Sequence, residues 1–274
     1  MGSADIVPGV SGGTIALITG IYSHLIAAIS NIRFGFIKPL LKGNLRGFVD
    51  GILDEIDFKF FIPLGLGIAI AMVTLAKVVT YCMDNYVGYT FSFFLGLIVA
   101  SAIILFKKID KINFKHVIFV VVGIILAYIF VNLNPIATNH SLPVLFISGA
   151  IAICAMILPG VSGSFLLLLL GQYGYMLDSL FSVNVSEIVV FLLGAVIGIL
   201  SFSKLLNYLL SKYEEYTMAF LIGVMLGTLD IPLTNIQADV SMGMFTLLPC
   251  VIAAVVGFVI VIILETKFDY IDEA

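Results

Sequence analysis

Seven residues, Pro8-Gly9-Val10-Ser11-Gly12-Gly13-Thr14, interrupt an apolar run near the start of the chain. They return almost unchanged as Pro159-Gly160-Val161-Ser162-Gly163-Ser164-Phe165. Each copy leads through an apolar stretch to a matching pair, Gly20 with Tyr22 and Gly171 with Tyr173. Proline and glycine at this density end a helix. The chain is 61% hydrophobic and 11% charged, whereas a soluble domain has about 45–50% apolar and about 25% charged residues. A helix break in such a chain falls at bilayer depth, where loose backbone is tolerated only against protein or a water-filled cavity. The expected architecture is therefore two broken hairpins that meet near the middle of the membrane and hold an anionic group.

With 274 residues, the expectation is one polytopic membrane domain, all-α, spanning residues 1–274. The net charge of −4 says little for a chain mostly in lipid. Cys82, Cys154 and Cys250 lie far apart in apolar runs and read as small core residues, not as a disulfide framework. His24, His116 and His140 are scattered, so no metal site is expected, and no cofactor or nucleic-acid partner. Met1 is followed almost at once by the first motif, so no cleavable leader is expected.

Residues 5–31 read as the first broken segment. Residues 32–59 carry Arg33, Lys38, Lys42, Arg46 and Lys59 among large apolar side chains, which suits either a helix in the interface plane or a plain loop. Spans are expected at about 60–83, 89–106 and 116–133, each near the roughly 20 residues a bilayer requires. A second broken segment covers 143–177, followed by spans at about 188–210, 217–230 (short, with 234 as the alternative end) and 244–264. The apolar arm before the second motif is long, Pro143 to Leu158. The first has only Met1 to Val7, which leaves a truncated start and a vestigial arm as open readings.

The chain reads as a duplication, with repeats at 1–133 and 134–274. The motif recurs at a spacing of 151, and Gly67, Lys77, Tyr89-Thr90 and Gly96 recur 127 positions later as Gly194, Lys204, Tyr216-Thr217 and Gly223. The basic stretch present only in the first half accounts for the difference. Of the 13 Lys and Arg, Lys77 and Lys204 lie inside spans. The other positives gather at 33–59, 107–115, Lys212 and Lys267, and the connections at 84–88, 134–142, 178–187 and 231–243 have none. If each motif segment enters and leaves on one face, every loop positive lies on the cytoplasmic side. Each half then supplies a re-entrant hairpin and three crossings, and the halves are inverted.

A broken helix in lipid presents unpaired N–H groups and the positive end of a helix dipole at the midplane. Gly12, Gly13 and Gly163 let backbone approach a ligand, while Ser11, Thr14, Ser162 and Ser164 add hydroxyl donors, the chemistry of a phosphate or carboxylate nest. With Pro8, Gly9, Pro159 and Gly160, these form the expected binding set. Lys77 and Lys204 join it as intramembrane charges at matched positions, against the bland alternative of snorkelling to the interface. Asp5, whose equivalent is Met156, is a candidate coupling site for a proton or sodium ion, or simply an exposed terminal carboxylate. Gln172, His24 and Asn207 read as polar residues satisfied between helices. No GxSxG or HExxH sequence is present, and both arginines lie in the basic stretch, so an enzyme is not expected.

Ala4-Asp5-Ile6-Val7-Pro8-Gly9-Val10-Ser11-Gly12-Gly13-Thr14, with Gly20-Ile21-Tyr22, resembles the first motif of the bacterial polyprenyl-phosphate transporter family PopT. Leu158-Pro159-Gly160-Val161-Ser162-Gly163-Ser164, with Gly171-Gln172-Tyr173, resembles the second, and the likeness covers essentially the whole chain. What the resemblance implies is a flippase of the bacterial cytoplasmic membrane. It would return undecaprenyl phosphate from the outer to the inner leaflet for synthesis of envelope polymers. The bilayer and a polyprenyl-phosphate lipid would be the partners. The rival readings are a transporter or channel for a small soluble anion, and a membrane enzyme acting on lipid phosphate.

Overall fold

A computed structural model describes residues 1–5, 11–107, 109, 112–133, 139–241 and 247–272. Among these the chain is helical throughout. The first part runs α1 (Gly2–Asp5), α2 (Gly12–Ile18), α3 (Tyr22–Ser30), α4 (Ile37–Leu41), α5 (Leu45–Glu55), α6 (Phe58–Asn85), α7 (Val87–Lys107) and α8 (Phe114–Val131). The second runs α9 (Leu142–Ile157), α10 (Gly163–Leu169), α11 (Tyr173–Phe181), α12 (Val185–Lys212), α13 (Glu214–Gly227), α14 (Asp230–Ser241) and α15 (Leu247–Asp272). Helices α6, α7, α8, α12 and the α13–α14 run carry stretches long and apolar enough to cross a membrane, and α9 and the Leu247–Ile263 part of α15 are shorter apolar stretches. The protein is a multi-pass membrane protein.

The helix breaks fall where the sequence places them, and local chemistry explains each. Ser11 adopts extended backbone and caps α2, its Oγ accepting from Gly13 N at 3.1 Å. At the other end, Gly20 takes φ +71°, Gly20 N donates to Leu17 O, and Ile21 N donates to Ala16 O. This Schellman closure requires a residue at ease with positive φ, which is glycine. The second copy repeats it: Gly171 has φ +65°, Gly171 N donates to Leu168 O, and Gln172 N donates to Leu167 O. The Gly20/Gly171 recurrence is therefore a helix stop, after which α3 and α11 set off in a new direction.

Helix bounds recur with the sequence spacings. The limits of α2 and α3 return as those of α10 and α11 after 151 positions, and those of α6 return as those of α12 after 127. Contacts recur too. A Cβ on Gly96 of α7 would run into the Ala254 carbonyl of α15, and one on Gly257 into the Phe93 carbonyl. At the equivalent places, Gly223 of α13 abuts the Val120 carbonyl of α8, and Gly123 abuts the Phe220 carbonyl. Each set of helices thus lends one crossing to the other through glycine-lined backbone contact, the close approach small residues permit in lipid. The core has Ala16, Tyr22, Ile26, Ile98, Leu206, Ile222 and Met225 at its heart, so α2 and α3 are clasped by α7, α12 and α13.

The basic stretch folds as two short helices. Asn44 caps α5 by accepting from Gly47 N at 2.9 Å. Leu45, Val49 and Leu53, four residues apart, form an exposed apolar stripe along α5, the pattern of a helix lying in an interface. The expected 217–230 span continues further, as α14, after a break at Thr228. Gly160 causes that break to be occupied. It has φ +82°, and a Cβ there would lie 2.8 Å from Thr228 Oγ1 and 2.9 Å from Met225 Cα. The second motif loop therefore nests in the α13–α14 bend.

Candidate functional site

The two motif loops touch. Ser11 Oγ donates to Leu158 O at 3.0 Å, and Gly160 N donates to Thr14 Oγ1 at 2.9 Å. Gly13 lies so close to the other loop that a Cβ would sit 2.6 Å from Ile157 O. Ser11 and Thr14 are 2% and 1% exposed. Their hydroxyls satisfy backbone groups that the opposite helix break leaves open, which a buried site demands. The motif residues expected to bind a ligand through these oxygens use them to join the two loops. Pro8 and Gly9 lie outside the described residues, and Pro159 is buried in the joint.

The second motif places its hydroxyls differently. Ser162 Oγ and Ser164 Oγ share a hydrogen bond of 2.8 Å. Both line a cavity of about 260 Å³ together with Gly163, Ser11 and Asp5, under apolar walls from α9 and α12 that include Met156, Phe191 and Ala195. Hydroxyls and main chain thus cluster at one end of a mostly hydrocarbon-like chamber.

Asp5 makes the two loops unequal. One of its carboxylate oxygens accepts from Gly12 N at 2.7 Å, and a Cβ on Gly12 would sit 2.6 Å from the other, so glycine is what lets the acid approach. The first motif therefore already holds a carboxyl group, the protein's own. Met156 stands at the equivalent place in the second copy and offers no charge.

Lys77 and Lys204 are exposed, and neither lines this cavity. Lys204 borders a separate cavity of about 470 Å³ with Arg33, Asn31, Asn207 and Tyr208. Gln172 is buried and satisfied: its amide donates to Asn139 O at 3.0 Å and its carbonyl meets His140 Nδ1 at 3.0 Å. His140 stacks on Tyr175 with ring centroids 3.9 Å apart, and Tyr175 Oη donates to Glu187 Oε1 at 2.6 Å. The matching place in the first half pairs His24 Nε2 with Asp57 Oδ2 at 2.9 Å. These polar ties fasten α3 to α6 and α11 to α12. The sequence reading also passed over Asp239, which is buried and accepts from Gly88 N at the start of α7. Its signal was only an acid in an otherwise uncharged segment. No group of three metal-ligating side chains occurs among the described residues.

Comparison with known proteins gives the family. A family model described as undecaprenyl phosphate translocase-like matches residues 1–246. A polyprenyl-phosphate transporter of Vibrio cholerae is 42% identical over 229 residues, covering 84% of this chain and 73% of its own. A polyprenyl-phosphate transporter of Staphylococcus aureus is 31% identical over 278 residues, covering 95% of this chain and 91% of its own. No solved structure matches. With nearly the full length matched, both motif loops included, the chain belongs to the undecaprenyl phosphate translocase-like family.

Proposed function

We propose that this protein is a lipid-phosphate flippase that carries undecaprenyl phosphate between leaflets, from outer to inner, and does no covalent chemistry on it. The observation that carries the reading is the joint of the two motif loops beside a cavity that combines Ser162, Gly163 and Ser164 with apolar walls. A phosphate monoester presents acceptors only, and each must find a donor once it leaves water. The Ser162 and Ser164 hydroxyls and the Gly163 amide supply donors there, while the prenyl chain stays in lipid along the outward faces of α6 and α12. Exposed Leu66, Ile70 and Val73 on α6, with Leu192, Leu193 and Ile197 on α12, provide such faces.

The recurring bounds and the exchanged glycine contacts support two repeats, 1–133 and 134–274, inverted about the joint and lying in the bacterial cytoplasmic membrane with the basic loops inside. Rocking of one half on the other about that joint would present the cavity to each leaflet in turn. Asp5 faces the same chamber as the headgroup, and two anions at close range repel. A proton or sodium ion arriving with the headgroup would relieve that repulsion, and this makes Asp5 the coupling candidate.

Proteoliposomes holding labelled undecaprenyl phosphate test the reading, with a labelled soluble anion as control. Protein-dependent movement of the lipid between leaflets without uptake of the anion is expected. Anion uptake without lipid movement would assign the cavity to a soluble-anion carrier instead.

A further inference from the structure

The cavity between the ends of α3 and α12 has a chemistry the motif joint lacks. Arg33 and Lys204 both line it, with Asn31, Asn207, Tyr208 and Ser211. No carboxylate occurs among the described residues that line it, and neither cation forms an ion pair among the described residues. Lys212 Nζ donates to Tyr208 Oη at 3.2 Å, which brings a third positive charge to the rim. Glu55 accepts from the main-chain N–H of Arg33 at 2.9 Å, and it lines, with Asp54 and Asp57, the neighbouring cavity that Arg33 also borders. Uncompensated cations around a concave polar surface are costly to keep together unless an anion joins them.

The repeat shows that this grouping is one-sided. Under the internal spacings, Lys204 corresponds to Lys77, but Arg33 corresponds to Asn184, Ser211 to Asp84 and Lys212 to Asn85. The opposite face thus retains one cation of the three and adds an acid. Duplication alone would have made the faces alike.

We propose that Arg33, Lys204 and Asn207, with Lys212 at the rim, form a second phosphate-monoester site on the basic face of the protein, distinct from the motif cavity. The Arg33 guanidinium offers the planar fork that suits phosphate oxygens, and Lys204 supplies a compact charge opposite it. The ligand is the phosphate group of a prenyl phosphate delivered through the protein or of free phosphate from the aqueous side. The first of these sources rests on the flippase reading; the site itself does not.

The chain contains no tryptophan, so Tyr208→Trp in the otherwise intact protein gives a single fluorescent reporter inside this cavity. In nanodiscs of neutral phosphatidylcholine, the reporter is titrated with farnesyl phosphate, inorganic phosphate and farnesol. A saturable change with the phosphate-bearing probes and none with farnesol is expected. Arg33→Gln and Lys204→Gln should each raise the midpoint about tenfold, and Lys77→Gln should leave it unchanged. Stronger binding of farnesyl phosphate assigns the site to the lipid headgroup, whereas equal midpoints assign it to phosphate in solution. Equal response to farnesol, or unchanged midpoints in the double variant at an unchanged melting temperature, would overturn the site. Titration intact with no lipid movement in proteoliposomes would sink the flippase reading alone.

Discussion

Replacing Thr14 with valine isolates the joint between the loops. The two side chains have nearly the same shape, and Thr14 is 1% exposed, so packing is almost unchanged. What is lost is the acceptor for Gly160 N, 2.9 Å away. A buried N–H left without a partner costs about 1–3 kcal/mol. Thr14→Ser keeps the acceptor and removes one methyl group, worth about 0.8 kcal/mol. The polar variant should therefore be the more stable of the two although it packs less well. Unfolding of the purified protein by SDS in mixed micelles, followed by far-UV circular dichroism, ranks them. A Thr14→Val protein as stable as wild type, with Thr14→Ser below it, would refute the claim that this hydrogen bond holds the loops together.

Three other substitutions test separate parts of the structure. Gly20→Ala should cost about 1–2 kcal/mol for backbone reasons alone, since φ is +71° and a Cβ there meets nothing within 4 Å; SDS unfolding reads it, and a neutral result would contradict the helix-stop role. Gly223→Ala drives a Cβ into the Val120 carbonyl and should cost about 1–3 kcal/mol by overpacking; unchanged stability would mean that α8 and α13 are not in backbone contact. Asp5→Asn keeps an acceptor near Gly12 N but removes the charge, so lipid transfer should lose its dependence on an imposed ion gradient; a retained dependence would place coupling elsewhere.

The sequence disclosed the helix breaks because proline and glycine act locally. Ser11 as a cap, and Gly20 and Gly171 as stops, follow from a few neighbouring residues. The repeat disclosed the spans, since α6 and α12 share their bounds at one spacing. What Ser11 and Thr14 do was not legible. A hydroxyl suited to a phosphate is equally suited to a carbonyl, and the Ser11 partner lies 147 positions away. Met156 opposite Asp5 signalled that the loops differ, yet only the fold shows the acid seated on Gly12 N. Lys77 and Lys204 share a sequence position without sharing surroundings, because the residues packed about Lys204 come from the other half, at Asn31 and Arg33. Buried Asp239 was overlooked for the same reason, its partner Gly88 being 151 residues away.

The most direct test of the motif cavity is the rate of undecaprenyl phosphate movement between leaflets in proteoliposomes carrying Ser162→Ala with Ser164→Ala. Ser162 is half-buried, Ser164 is exposed, and both border the cavity; the doubly substituted protein loses their shared hydrogen bond but should still fold, which a melting curve checks. A fall in transfer of at least tenfold is expected, since two hydrogen bonds to a charged group are worth about 1.5–3 kcal/mol each. Transfer at the wild-type rate would contradict the assignment of the headgroup to the second motif.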